Sequence, residues 1–324
     1  MDLIRGLHNL KPLHRGCVAT LGNFDGIHLG HQAVLGQLAE KAGELGVAAA
    51  AIVFEPQPQE FFQPANAPAR LTRFREKFQA LRRFSIDYVL CLRFNAEFAA
   101  LEPEEFIRRV LVEGLGTRYL VVGDDFRFGH RRRGDFAMLQ EAGRRYGFQV
   151  VNMHTFAIDG ERVSSTRIRA ALAAADLVTA EKLLGRPFRM GGRVAHGDKM
   201  GRRLGIPTAN IHLHRKTVPL KGIYTIEVFG IEGEPRAGVA DVGTRPTVDG
   251  TKTLLEVHLL DFDDDLYGRH LNVDFLLKLR DDKRFDSLEA LAGAIQLDVK
   301  HAREFFSKRY AHAGRVERKG RSSG

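Results

Sequence analysis

Residues 17–31, CVATLGNFDGIHLGH, pass from a short apolar run through a glycine-bearing turn into a segment of helical period. That passage from strand to helix decides the reading of the first half of the chain. The same rhythm repeats as far as residue 185, with strands expected at Cys17–Leu21, Val47–Phe54, Asp87–Phe94, Arg118–Val122 and Phe148–His154. Helical patterns fall between them at 30–45, 72–84, 103–113 and 134–146, and a further one runs from about Ser165 to Leu184. Strands alternating with helices predict a parallel sheet wound with helices, an α/β Rossmann-like mononucleotide domain. In the common strand order 3-2-1-4-5 the switch point lies between the first and fourth strands, and ligands bind beyond their carboxyl ends. Two loops are selected on that ground alone, GNFDGIHLGH at 22–31 and GDDFRFG at 123–129.

After Leu184 the period changes. Val194–His196, Ile223–Phe229, Ala237–Val242, Leu254–Leu260 and Leu271–Leu279 alternate or nearly alternate, with turns rather than helices between them. Such a meander predicts a small antiparallel β-barrel, closed by a C-terminal helix over 287–308. The expected division is therefore 1–184 and 185–310, followed by a basic tail at 311–324. The tail bears Arg315, Arg318, Lys319 and Arg321 against Glu317 with no apolar period, and is read as disordered.

The 324 residues suffice for two cores. Only two cysteines are present, Cys17 and Cys91, both in apolar runs, which excludes a disulfide framework and a four-cysteine zinc site and predicts a reducing, cytoplasmic compartment. No run approaches the length of a membrane span, and the N-terminus lacks the apolar core of a signal peptide, so a soluble, unprocessed chain is expected. A net charge of +9 raises the alternative of an RNA-binding protein, but no aromatic-bearing RNA-binding signature accompanies it. No nucleic-acid or membrane partner is expected, and the chain is read as a monomer, with weak self-association as the alternative.

His28 and His31 lie three apart where the first strand gives way to a helix. On that helix both imidazoles share a face, beside backbone N–H groups and a dipole that attract anions. Gly22, Gly26 and Gly30 allow a ligand to approach the backbone, which suits a phosphate; two ordinary polar histidines on a first turn remain the alternative, and zinc lacks a third ligand. Farther on, VSSTRIR at 163–169 opens a helix, so Ser164, Ser165 and Thr166 suit capping. The same hydroxyls and N–H groups, with Arg162 and Arg169 beside them, also suit a phosphate.

The whole stretch T-x-G-N-F-D-G-x-H-x-G-H resembles the nucleotidyltransferase superfamily, and within it the prokaryotic bifunctional riboflavin kinase/FMN adenylyltransferases, or FAD synthetases. FEPQPQEFF at 54–62, VGDDFRFG at 122–129 and VSSTRIR follow in the family's order. The resemblance extends through about residues 14–308. It implies ATP binding by Gly22, Asn23 and Asp125 along with the Arg162–Arg169 segment, charge stabilisation by His28 and His31, and Phe62, Phe126 and Phe128 as candidates to line an isoalloxazine pocket. A core role for each phenylalanine is the competing reading.

The second half contains no P-loop, since Asp198 stands where the lysine should follow Gly192–Gly197. GRVAHGDKMGRRLGIPTANIHL at 192–213 instead resembles the flavokinase segment, whose glycine-rich part, here Gly192 and Gly197, covers ATP. Its P-T-A-N residues hold magnesium and phosphate. Thr208 and Asn210, two apart, share a face if this is a strand, as ligands for a hard cation require. LKGIYTIEV, VADVGTRPTV and LLEVHLLDFDDDLYG continue the family pattern, and the first glutamate of the last, Glu256, matches the catalytic base. A carboxylate at that place in a half-apolar strand needs a reason. The acidic run Asp261–Asp265 is read as a solvated turn. Two residues depart from the family, Ile206 for a frequent Phe and Asp241 for the usual Asn.

The resemblance thus implies two activities: riboflavin with ATP to FMN and ADP on a flavokinase-type barrel, and FMN with ATP to FAD and pyrophosphate on the nucleotidyltransferase domain. Both use magnesium with ATP, and riboflavin, FMN and FAD are substrates and products. The rival of the same class is a single-activity nucleotidyltransferase with a flavin-sensing second domain.

Overall fold

The structure, a computed structural model, describes residues 1–123, 125–153, 156–195, 206–215, 217–247 and 250–320. It divides into two compact units, Met1–Arg167 and Ile168–Gly324.

In the first unit β1 (Asp2–Arg5), β2 (Val18–Leu21), β3 (Ala49–Glu55), β4 (Tyr88–Arg93), β5 (Tyr119–Gly123) and β6 (Gln149–Met153) form one sheet in the order β1-β4-β3-β2-β5-β6. All its pairings are parallel. The five expected strands stand in the order 3-2-1-4-5, so the switch point lies where it was expected, between β2 and β5. The four-residue β1 is an addition, too short to show a period, that is registered on β4 from Asp2 opposite Tyr88 to Arg5 opposite Cys91.

Strand residues alternate between two cores, one on each face of the sheet. Ala19, Leu21, Ile52, Leu90 and Leu120 point to one, and Val18, Val53, Val89 and Val121 to the other. Burial on both faces is why these strands read as continuous apolar runs. Cys17 and Cys91 fall on opposite faces as free thiols, and burial pushes Cys17 up to about 12. The single helix expected from Ser165 to Leu184 is two, Ser165–Ala173 and Leu177–Leu184. They are separated by Ala175 at φ 59° and by Asp176, whose carboxylate accepts the Thr179 N–H at 2.9 Å as an N-cap.

The boundary between the units thus falls before the change of period at 184/185 on which the sequence division rests. The helix Leu177–Leu184 packs on the second unit's strands, burying Leu177, Ala180, Leu183 and Leu184. Those strands are β9 (Phe188–Ala195), β10 (Ala209–His212), β11 (Gly222–Phe229), β12 (Arg236–Thr247), β13 (Gly250–Leu259) and β14 (His270–Arg280). A two-stranded hairpin of the first unit, β7 (Ala157–Ile158) with β8 (Glu161–Arg162), completes the count.

The second unit is a closed antiparallel barrel in the order β10-β13-β12-β11-β14-β9. Strand β9 begins at Phe188, earlier than the alternation suggests, because Gly191 and Gly192 interrupt the pattern. A Cβ on Gly192 would lie 2.4 Å from the His212 carbonyl oxygen, so closure of β9 on β10 requires bare backbone there. The chain ends in the helix Leu288–Gly320, which packs on β11 and β12 and buries Ala302 with Ile223 and Val239. The sequence predicts a helix that stops at 308 and an unstructured tail from 311; the helix instead continues through 311–320. Alanine, arginine, glutamate and lysine are strong helix formers, and local propensity extends the helix where no apolar stripe announces it. Residues 321–324 lie outside the described part.

Candidate active sites

The loop after β2 is bent by three left-handed residues in four, Phe24 at φ 45°, Gly26 at 88° and Ile27 at 45°. Such backbone is unfavourable for Phe and Ile, and burial of both side chains to 2% exposure offsets the strain. Asp25 locks the bend. Its carboxylate accepts the Leu71 N–H at 3.0 Å and the Thr72 N–H at 2.8 Å, while the Thr72 hydroxyl accepts the Gly26 N–H at 2.9 Å. The Asp25 carbonyl in turn accepts the Ser165 hydroxyl at 2.9 Å. The sequence reading quoted Asp25 within a motif but gave it no role.

So held, the loop presents the histidine pair. His28 is the N-cap of the helix Leu29–Leu45, its Nδ1 accepting the His31 N–H at 3.3 Å. The two rings stack at 3.6 Å with 17° between their planes, and His28 is buried at 6% exposure. His31 is held well below the ordinary imidazole value, first by burial and then by His28, Lys77 and Arg162. Its Nδ1 is buried without a hydrogen-bond partner. The pair thus caps the helix and stacks, and leaves one buried ring nitrogen open to a further partner.

Arg162 pairs with Asp125 at 2.8 Å, and this bond holds the Asp125 carboxyl below the usual carboxylate range. The two residues assigned separately to ATP therefore meet each other, and Arg162 reaches His31 electrostatically. Ser164 accepts the Arg167 N–H at 3.2 Å as a helix cap, Ser165 ties down the loop, and Thr166 is exposed. Arg169 lies on the same helix past the division between units. Gly22 follows β2, donating its N–H to the Ile52 carbonyl at 3.1 Å, with the half-buried Asn23 next to it.

The phenylalanines form a chain of ring contacts. Phe62, Phe94, Phe98, Phe106, Phe128 and Phe126 follow one another at 5.6, 5.7, 6.0, 5.3 and 5.6 Å. Phe62 stands at the open end with 62% exposure, whereas Phe128 is a core residue at 6%. Of the three flavin candidates, Phe128 fits the competing core reading and Phe62 is the most available to a ligand.

In the barrel, β10 and β13 pair so that Asn210 stands opposite Glu256, and β12 places Asp241 opposite Glu256 on the other side. Cross-strand partners share a face. Leu255, Val257 and Leu259 turn into the barrel with 5% exposure or less, leaving Glu256 and His258 half-buried on the outer wall. There a cavity of about 200 Å³ is lined by Thr208, Asp241, Glu256 and His258 and roofed by Phe285, Leu291 and Ile295. His258 Nδ1 lies 2.9 Å from the Pro207 carbonyl, joining the PTAN segment to β13. Arg280 pairs with Asp298 at 2.8 Å and so fixes the last helix beside the cavity. Sequence reading missed His258, Arg280 and Asp298, which no local motif marks.

The acidic run is only partly the solvated turn expected. Asp261 pairs with Arg303 at 2.7 Å, and Asp263–Asp265, though exposed, edge a second cavity shared with Pro207 and Thr208. Among the described residues no cluster of three or more His, Cys, Asp or Glu could hold a metal. Gly197, with the rest of 196–205, and Asp124 lie outside the described residues.

Residues 10–167 match the family model for FAD synthetase, and residues 184–306 that for riboflavin kinase. A Pseudomonas fluorescens protein named bifunctional riboflavin kinase/FMN adenylyltransferase is 57% identical over 94% of this chain and 97% of its own. The Escherichia coli K12 protein of the same name is 52% identical over 94% and 98%. The chain belongs to the bifunctional riboflavin kinase/FMN adenylyltransferase family. A solved structure from Streptococcus pneumoniae, named a macrolide-efflux protein, is also similar, with TM-score 0.80 and 28% identity over 94% of this chain and 99% of its own. Among the described residues no helix is long and apolar enough to cross a membrane. Within the family's pattern, Asp241 in place of Asn sets two carboxylates opposite each other on the wall of the barrel cavity.

Proposed function

We propose that the chain makes flavin nucleotides in two steps, phosphorylating riboflavin with ATP to FMN on the barrel and adenylylating FMN with a second ATP to FAD and pyrophosphate on the first unit. The observation that carries this reading is that relatives named for both activities align over 94% of the chain, through both units. The local geometry supports it.

Phosphorylating an alcohol requires removal of its proton, and of the carboxylates that line the cavity, Asp241, Glu256, Asp282 and Asp298, Glu256 is the one the family's motif marks as the base. It accepts the proton of the ribityl 5′-hydroxyl as that oxygen attacks the γ-phosphorus. Thr208 and Asn210 supply the two neutral oxygens that suit magnesium, which takes few protein ligands and keeps its other positions for phosphates and water. Bound there, magnesium would offset charge on the phosphoryl group. The phosphate of FMN is already ionised, so adenylyl transfer needs no base. His28 and His31 instead stabilise charge developing at the α-phosphate, and Arg162, Asp125 and the Ser164–Thr166 turn face the departing pyrophosphate. The reading further takes the enzyme to be a cytoplasmic monomer without a nucleic-acid partner.

Chromatography of flavins after incubation with riboflavin, ATP and magnesium tests it, with FMN and then FAD expected. FMN without FAD, or FAD only from added FMN, would leave one activity; neither product would overturn both.

A further inference from the structure

Lys77 is buried at 1% exposure, and its Nζ has no hydrogen-bond partner. A lysine is rarely placed so, because its ammonium loses water and gains nothing in return unless charges nearby compensate. Compensation is present. Burial holds Lys77 below the ordinary lysine value, with Asp25 and Glu55 opposing that effect and Arg70 adding to it. Arg70 is itself shared between Glu55, at 2.5 Å, and Glu60. Three carboxylates are thus set against Arg70 and Lys77, and the charged form of Lys77 brings this group nearest to neutrality.

The position is also notable. Lys77 lies on the helix Phe74–Leu81, Glu55 ends β3, and Asp25 lies in the loop after β2, so the group sits at the carboxyl ends of the strands where a ligand is expected. The titratable group beyond it is His31. The charges acting on His31 come from His28 on its own helix, Lys77 and Arg162, and the ring of Phe24 covers it at 5.2 Å. Nδ1 of His31 and Nζ of Lys77 are both buried and unsatisfied within this one site.

We propose that Lys77 is a positioning residue for adenylyl transfer, its buried charge standing behind His31 and keeping that ring an uncharged hydrogen-bond donor to the phosphates. This rests on the assignment of His28 and His31 to FMN adenylylation. A cation that water cannot reach acts on its neighbours with little screening, and an uncharged donor polarised by it needs no proton from solvent. Burial and the flanking cations oppose protonation of His31 together, so loss of Lys77 lets the ring take up a proton at higher pH.

The test uses the full chain, with FAD formation from FMN and ATP measured across the range in which a free imidazole titrates, about pH 5.5–7.5. The unaltered chain should show no inflection assignable to His31. Lys77→Met should lower kcat about tenfold, with KM for ATP little changed. It should also add an acid limb, the rate falling as pH falls and His31 becomes charged. Lys77→Arg, which keeps the charge, should remove that limb. NMR of the His31 ring, assigned through His31→Gln, should show an uncharged imidazole throughout in the unaltered chain and a titrating one in Lys77→Met. A ring that titrates near the ordinary imidazole value in the unaltered chain overturns the proposal even if Lys77→Met fails to fold. An unmoved titration in a folded Lys77→Met overturns it as well. If His31→Gln makes FAD at the parent rate, the proposal falls with its premise; a ring titration still displaced by Lys77→Met would locate the fault in the histidine assignment rather than in the coupling.

Discussion

The loop 22–31 carries its chemistry on backbone bent through positive φ at Phe24, Gly26 and Ile27, whereas the barrel carries Asn210 and Glu256 on straight, paired strands. In the loop Thr72 and Ser165 bind the backbone of Gly26 and Asp25, the Asp25 carboxylate ties the bend to the Thr72 N–H, and a helix N-terminus with two stacked imidazoles follows. In the barrel, ladder bonds occupy the backbone, so the chemistry proposed there falls to side chains alone. The difference matches the reactions proposed. A nucleophile that arrives ionised needs a fixed field, which dipoles and imidazoles supply. A hydroxyl needs a proton acceptor at a defined place, which a strand position supplies.

The comparison can be broken most decisively at Glu256. Glu256→Gln keeps the shape and removes the acceptor, so FMN formation should fall by about 10²–10⁴ while conversion of added FMN to FAD is unchanged. Turnover within a few-fold of the parent would show that the barrel, like the loop, works by electrostatics alone. The reciprocal change is His28→Asn, which keeps a capping oxygen for the His31 N–H but removes the imidazole. FAD formation should fall by about 10²–10³ with riboflavin phosphorylation intact, and equal loss of both activities would mean that the units do not work separately. The smallest effect concerns where the barrel unit begins. A fragment from Asp176 retains the helix Leu177–Leu184, while one from Gly185 exposes the surface on which Leu177, Leu183 and Leu184 are buried. Each such side chain is worth about 1.5–3 kcal/mol. Both fragments should make FMN and no FAD, and the shorter should melt at lower temperature. Equal melting would place the start of the barrel unit at 184/185.

The alternation of apolar runs with helical periods, and its replacement by period 2 after Leu184, determined the two architectures, because burial on both faces of a parallel sheet and on one face of a barrel strand writes itself locally into the chain. For the histidine pair, the VSSTRIR turn and the PTAN segment, spacing supplies the capping or same-face geometry, and the resemblance of the ordered motifs to the family supplies the roles expected of them. Glu256 was singled out by the resemblance of LLEVHLLDFDDDLYG to the family's motif, since a carboxylate in a half-apolar strand is by itself as well explained by a solvent-facing position. Other features were beyond local pattern. Lys77 in REKFQALRR looks like one more charge on a solvated helix, and only the packing of that helix under the loop buries it. Gly192 read as part of a phosphate loop, and closure of the barrel gives it the different task of admitting the His212 carbonyl. The meeting of Asp125 with Arg162 and the pairing of Arg280 with Asp298 join residues distant in the chain. Sequence periodicity reports which way a side chain faces, and the tertiary structure alone decides which charges face one another, since that depends on how separate elements dock.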